Sequence, residues 1–87
     1  MAPQEIAALR KDLGLSQVEF AQLFGAHFMT VSKWERGLSG PNAYQEALLR
    51  QFQATANAKK ANAAEEVKKL LVGAGVVAAL AWLLTMK

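Results

Sequence analysis

Residues 15–37 hold two short helical patterns joined at a single glycine, which confines the chain to folds in which two helices cross closely over a tight turn. Ser16 with Glu19 three residues later is a capping box, and Leu15 and Phe20 occupy the flanking staple positions, so a helix is predicted to start at Ser16. It is predicted to end near Phe24. Gly25 can take the left-handed backbone of a tight C-cap, and the chain then turns over Ala26 and His27 into a second apolar pattern. Ala21 is small where two helices must approach, and Val31 and Trp34 recur at a three-residue spacing that puts both on a buried face. Phe28, Met29, Ser32, Lys33 and Arg36 are left facing outward or sideways.

The same periodicity extends to either side. Ile6, Leu9 and Leu13 mark a first helix over Pro3–Leu13, with proline in its first turn and Gly14 just past its end. Leu38-Ser39-Gly40-Pro41 reads as a loop, followed by a fourth helix from about Pro41 to Gln53 that buries Tyr44, Leu48, Leu49 and Phe52. The expected fold is all-α, a small four-helix bundle plus a C-terminal apolar helix. Three parts are expected: a domain over 1–53, an Ala- and charge-rich helical linker over 54–69 with almost nothing large to bury, and an apolar helix over 70–87.

In the residues Leu15-Ser16-Gln17, Ala21, Gly25, Thr30-Val31-Ser32 and Trp34-Glu35-Arg36-Gly37, the chain resembles the phage-repressor type of helix-turn-helix, the XRE family. Asn42-Ala43-Tyr44 and Ala47-Leu48-Leu49 are similar to the segment after the recognition helix in that family, so the likeness spans roughly residues 3 to 53. It implies a sequence-specific DNA-binding transcriptional regulator, by default a repressor, whose second paired helix enters the major groove with its first residues on base edges. The partner implied is double-stranded DNA.

Carried over residue by residue, the resemblance makes Gln17, Phe28, Met29, Thr30, Ser32, Lys33, Arg36, Ser39 and Asn42 the candidate DNA-contacting set. Phe28 and Met29 depart from the polar residues often found at their positions. They can touch thymine methyls but make no bidentate hydrogen bond, which shifts specificity toward apolar contact and DNA shape; Phe28 has the alternative of packing under the turn. Lys33 suits a guanine edge or a phosphate, and Gln17 resembles the family's phosphate-contacting glutamine. Ser39 and Asn42 can donate to a phosphate or serve as ordinary turn and capping residues. Glu35 and Arg36 read as more structural than base-reading, and His27 stands where a helix N-cap belongs.

With 87 residues, no cysteine and one histidine, the chain offers neither a metal cluster nor a nucleophilic triad, so no cofactor, no metal and no enzymatic activity are expected. The absence of disulfides fits the cytoplasm. Charge is unevenly placed. Up to residue 58, Arg10, Lys11, Lys33, Arg36 and Arg50 balance Glu5, Asp12, Glu19, Glu35 and Glu46, while Lys59, Lys60, Lys68, Lys69 and Lys87 outnumber Glu65 and Glu66 beyond it. A neutral head has modest non-specific affinity for DNA and gains from a second head.

From Leu70 to Met86 the chain is apolar on every side. As one helix these 17 residues rise about 26 Å, short of a hydrocarbon core of about 30 Å. Preceding lysines, Trp82 and Lys87 suit a membrane anchor on the inner face, and Gly73, Ala74, Gly75, Ala78 and Ala79 allow close helix pairing. The alternative in water is a homo-oligomer or docking on the bundle, because a helix apolar all round must be covered all round. The residues expected in assembly or membrane contact are Leu70, Leu71, Val72, Gly75, Val76, Ala79, Leu80 and Leu83. A rival function from another class is a membrane-tethered module that uses the helix-turn-helix to bind protein.

Overall fold

The computed structural model describes residues 1–84, the side chains of 59–61 excepted. The expected fold class holds: α1 spans Pro3–Asp12, α2 Gln17–Gln22, α3 Phe28–Glu35, α4 Ala43–Gly73 and α5 Val76–Leu84, with no strand among the described residues. Ser16 caps α2 as its spacing requires, its Oγ accepting the Glu19 N–H at 3.1 Å while the Glu19 carboxylate accepts the Ser16 N–H at 3.0 Å. Gly25, at φ +62°, closes α2 with a Schellman pair in which the Ala26 N–H reaches the Ala21 carbonyl and the Gly25 N–H that of Gln22. Ala21, Val31 and Trp34 are buried at the crossing of α2 and α3. Phe24 meets Phe20, Trp34 and Phe52 ring to ring at centroid separations of 5.1–5.5 Å, tying α2 to α3 and α4.

The fourth helix differs from its expected form. It starts at an Asn42 cap box with Gln45 and runs for 31 residues, through the whole segment expected to be a solvated linker. Straight, it would measure about 46 Å, yet the molecule's longest dimension is 31 Å, so α4 bends. Its buried positions explain the course: Leu49, Phe52, Ala56, Ala63, Val67 and Leu71 recur on one face, and the helix wraps that face around the core. Thr55 is buried too, its hydroxyl donating to the Gln51 carbonyl one turn back, a contact that bends helices. Alanines suffice to fill this face because the neighbouring backbone comes close; Ala64 lies against Gly14. Tyr44, expected in the buried stripe, is 69% exposed, for it lies about 140° around the helix from Leu49.

The apolar tail is not one helix. Gly75, at φ +101°, ends α4 and starts α5, and α5 folds back on α4. Leu71, Ala79 and Leu83 enter the same core as α1–α3, and the Thr55 hydroxyl donates to the Leu83 carbonyl at 2.6 Å. Of the residues expected in assembly or membrane contact, Leu70, Val76 and Leu80 are half-buried against this core, and only Val72 is largely exposed. No helix among the described residues is long and apolar enough to cross a membrane. The single apolar helix expected from Leu70 on is therefore corrected: a glycine break divides the run, and its second half docks on the bundle, the cover expected as an alternative in water. Residues 85–87, including Lys87, and the side chains of Lys59 and Lys60 lie outside the described residues.

Candidate nucleic-acid interface

Both ends of α3 are pinned. At its start the backbone N–H of Met29 donates to Nδ1 of His27 at 3.2 Å, so the imidazole takes the place a serine or asparagine often fills at an N-cap. The same ring lies against that of Phe28, with centroids 4.7 Å apart and planes inclined by 38°. At its end the Glu35 carboxylate receives three bonds. Arg10 of α1 grips it in a fork, Nε to Oε2 at 2.6 Å and Nη2 to Oε1 at 3.0 Å, and Gln17 of α2 donates to Oε1 at 3.2 Å. Arg10 also donates to the Leu15 carbonyl at 3.0 Å, which ties the α1–α2 corner to the same node. Burial pushes the Glu35 carboxyl up, but the hydrogen bonds from Arg10 and Gln17, with the Arg10 charge, outweigh it and hold the group below the usual glutamate range.

Between these anchors α3 turns one face to solvent. Phe28 and Met29 are 40% and 41% exposed, Lys33 and Arg36 are exposed, and Thr30 and Ser32 are half-buried at the flank. Arg36 lies along the helix, its Nε donating to the Ser32 carbonyl at 3.3 Å. Neither Lys33 nor Arg36 has an ion-pair partner among the described residues. Ser39 is exposed in the following loop. Asn42 is exposed as well, but its Oδ1 is occupied by the Gln45 N–H at 2.8 Å, so only its amide N–H₂ remains to donate outward. Gln17 is half-buried, with its amide turned to Glu35. The candidate residues are thus not equivalent. Phe28, Met29, Lys33 and Arg36 share the open face of α3, while Gln17 and Asn42 carry structural bonds as well.

A family model described as "Helix-turn-helix" matches residues 6–44. Residues 6–44 are a helix-turn-helix domain of the phage-repressor, or XRE, type. The match takes in most of α1, all of α2 and α3, and the capped start of α4; the remainder of α4 and all of α5 lie outside it. No curated protein and no solved structure matches the chain. The helix-turn-helix family gives the chain the DNA-binding domain of a transcription regulator.

Two residues that bond to side chains of this domain escape sequence reasoning. Arg10 carries no local signal for its role, because its partner Glu35 is 25 positions away. Lys68, on the far part of α4, donates to Oε1 of Glu19 at 2.6 Å, the carboxylate that completes the α2 cap. The Lys68 bond, followed by that from the Ser16 N–H, holds the Glu19 carboxyl below its ordinary value.

Proposed function

We propose that the protein is a sequence-specific transcriptional repressor that lays α3 in the major groove of duplex DNA. The open face of α3 carries this reading: a helix anchored at both ends presents Phe28, Met29 and Lys33 outward, and among the described residues neither Lys33 nor the C-cap residue Arg36 has an ion-pair partner. In this docking Phe28 and Met29 meet base edges, and Thr30 and Ser32 flank them. Lys33, Arg36, Ser39, Gln17 and the Asn42 amide face the phosphates, which take about half or more of the hydrogen bonds in such interfaces. The protein acts on DNA in the cytoplasm, as a dimer or larger assembly through its C-terminal helices. With most tail residues turned into the core, Val72, Val77 and Leu84 are the exposed apolar side chains left for a second copy. The neutral charge of residues 1–58 favours pairing, since a second head adds contacts at high effective concentration.

The test is selection of duplexes from a random-sequence library by the full-length chain, followed by titration of the selected site at several salt concentrations. Lys33→Ala is expected to weaken binding by about 1–3 kcal/mol at a base edge, or to lower the salt slope by about one if it meets a phosphate, with the melting temperature unchanged. Failure to select any sequence, with no salt-dependent binding, overturns the proposal.

A further inference from the structure

Phe28 and Met29 are large, apolar and adjacent, and both stand in solvent at the first two positions of α3. His27 lies beside the pair, its Nδ1 taking the Met29 backbone N–H and its ring tilted against that of Phe28. The major groove offers such side chains one apolar group of any size, the methyl on C5 of thymine; its other distinguishing features are hydrogen-bond donors and acceptors and the small C5–H of cytosine. Cytosine methylated at C5 carries the same methyl at the same ring position, and differs from thymine in the groove by an amino donor in place of a carbonyl acceptor. A phenyl ring has no conventional hydrogen-bonding group and a thioether is only a weak acceptor, so the pair weighs that difference little beside the methyl contact.

Resting on the DNA-reading function above, we infer that Phe28 and Met29 read the pyrimidine 5-methyl group itself. The protein therefore accepts 5-methylcytosine in place of thymine at the positions this pair contacts, and its binding responds to cytosine methylation there. His27 acts as a positioning residue that holds the pair against the groove.

The experiment uses the full-length chain and a duplex site selected by it. At each position of the half-site, thymine is replaced by deoxyuridine, which removes only the methyl, and separately the base pair is changed to cytosine–guanine or 5-methylcytosine–guanine, two pairs that differ only in the methyl. At the contacted positions deoxyuridine is expected to lower affinity about three- to five-fold, the worth of one buried methyl. Methylation of the cytosine is expected to raise affinity by a similar factor. Both effects should vanish in Phe28→Ala or Met29→Ala, which at half-exposed positions leave the fold intact as read by circular dichroism. A tightly bound site in which neither deoxyuridine nor 5-methylcytosine changes affinity at any position overturns the methyl readout and leaves the DNA-reading function standing. Methyl effects that persist undiminished in both alanine variants assign the readout to other residues and equally overturn it. If no site is selected at all, the underlying function falls.

Discussion

The docked tail makes a sharp stability prediction from two residues of the same apolar run. Leu83 is fully buried, packed with Leu71 and Ala79 in the common core, and its carbonyl receives the Thr55 hydroxyl. Val77, six positions earlier, is 81% exposed. Truncating Leu83 to alanine removes roughly three methylene equivalents, about 2.4 kcal/mol by transfer. The cavity left in a core held by helices on several sides adds to this, for a total of about 3–4 kcal/mol. A chain of this length has about 4–13 kcal/mol in all, so the loss should lower the melting temperature by about 12–30 °C. Val77→Ala should shift it by no more than about 2–4 °C at concentrations where the chain is a monomer, since surface substitutions fall within about 0.5 kcal/mol. Thermal and urea unfolding followed by circular dichroism, repeated over a hundred-fold range of protein concentration, measures both. If the two variants lose similar stability, or if the Leu83→Ala loss grows on dilution, the tail is covered by another copy rather than by its own bundle and the docking argument is refuted.

Two further outcomes follow from the domain itself. Trp34→Ala removes the largest buried side chain and the ring against Phe24, and is expected to cost about 3–5 kcal/mol; a cooperatively folded variant of near wild-type stability would show that α3 does not cross α2 in this register. Because Glu35 is held below the usual glutamate range, its contribution is fully present above the unfolded value of about 4.3 and is lost as pH falls through the lower folded value. Glu35→Gln should accordingly be less stable than wild type at pH 7, with the gap closing below about pH 4 in denaturant titrations; a gap constant across that range would contradict the Arg10–Glu35–Gln17 linkage.

What could be read from the sequence was local. Ser16 with Glu19, Leu15 with Phe20, and Val31 with Trp34 lie three to five positions apart, within one or two turns, where helix geometry alone decides which side chains meet. The same reasoning placed Phe28, Met29, Lys33 and Arg36 on the outside, whereas the N-cap position of His27 came from the family resemblance. Tyr44 failed because a four-residue spacing continued for several turns drifts off a 3.6-residue helix, so that the true face is set by Leu49, Phe52 and Ala56. The helix over 54–69 was legible, but its buried face and the break in the tail were not, for a different reason. An Ala-rich helix has no large side chain to announce a buried face, and an apolar run announces only that it must be covered. The cover depends on contacts 28 positions apart between Thr55 and Leu83 and 49 apart between Glu19 and Lys68, which no local spacing encodes.

Those long-range contacts change what the segment beyond the matched domain does for the reading head. The Glu19 carboxylate that caps α2 is shared by the Ser16 N–H and by Lys68, so the far part of α4 is bonded to the first turn of α2. The first residue of that turn, Gln17, donates to Glu35 at the end of α3, and Glu35 is gripped in turn by Arg10. Lys68 itself is half-exposed, and an exposed ion pair is worth little by itself. The burial of Val67, Leu71 and Leu83 in the common core is what keeps this part of α4, and with it the Lys68 ammonium, in place. A chain whose first 58 residues are neutral overall can in this way present an ordered α3 without relying on strong attraction to DNA to order it, because the entropy of fixing the helix is met inside the fold before any duplex is bound.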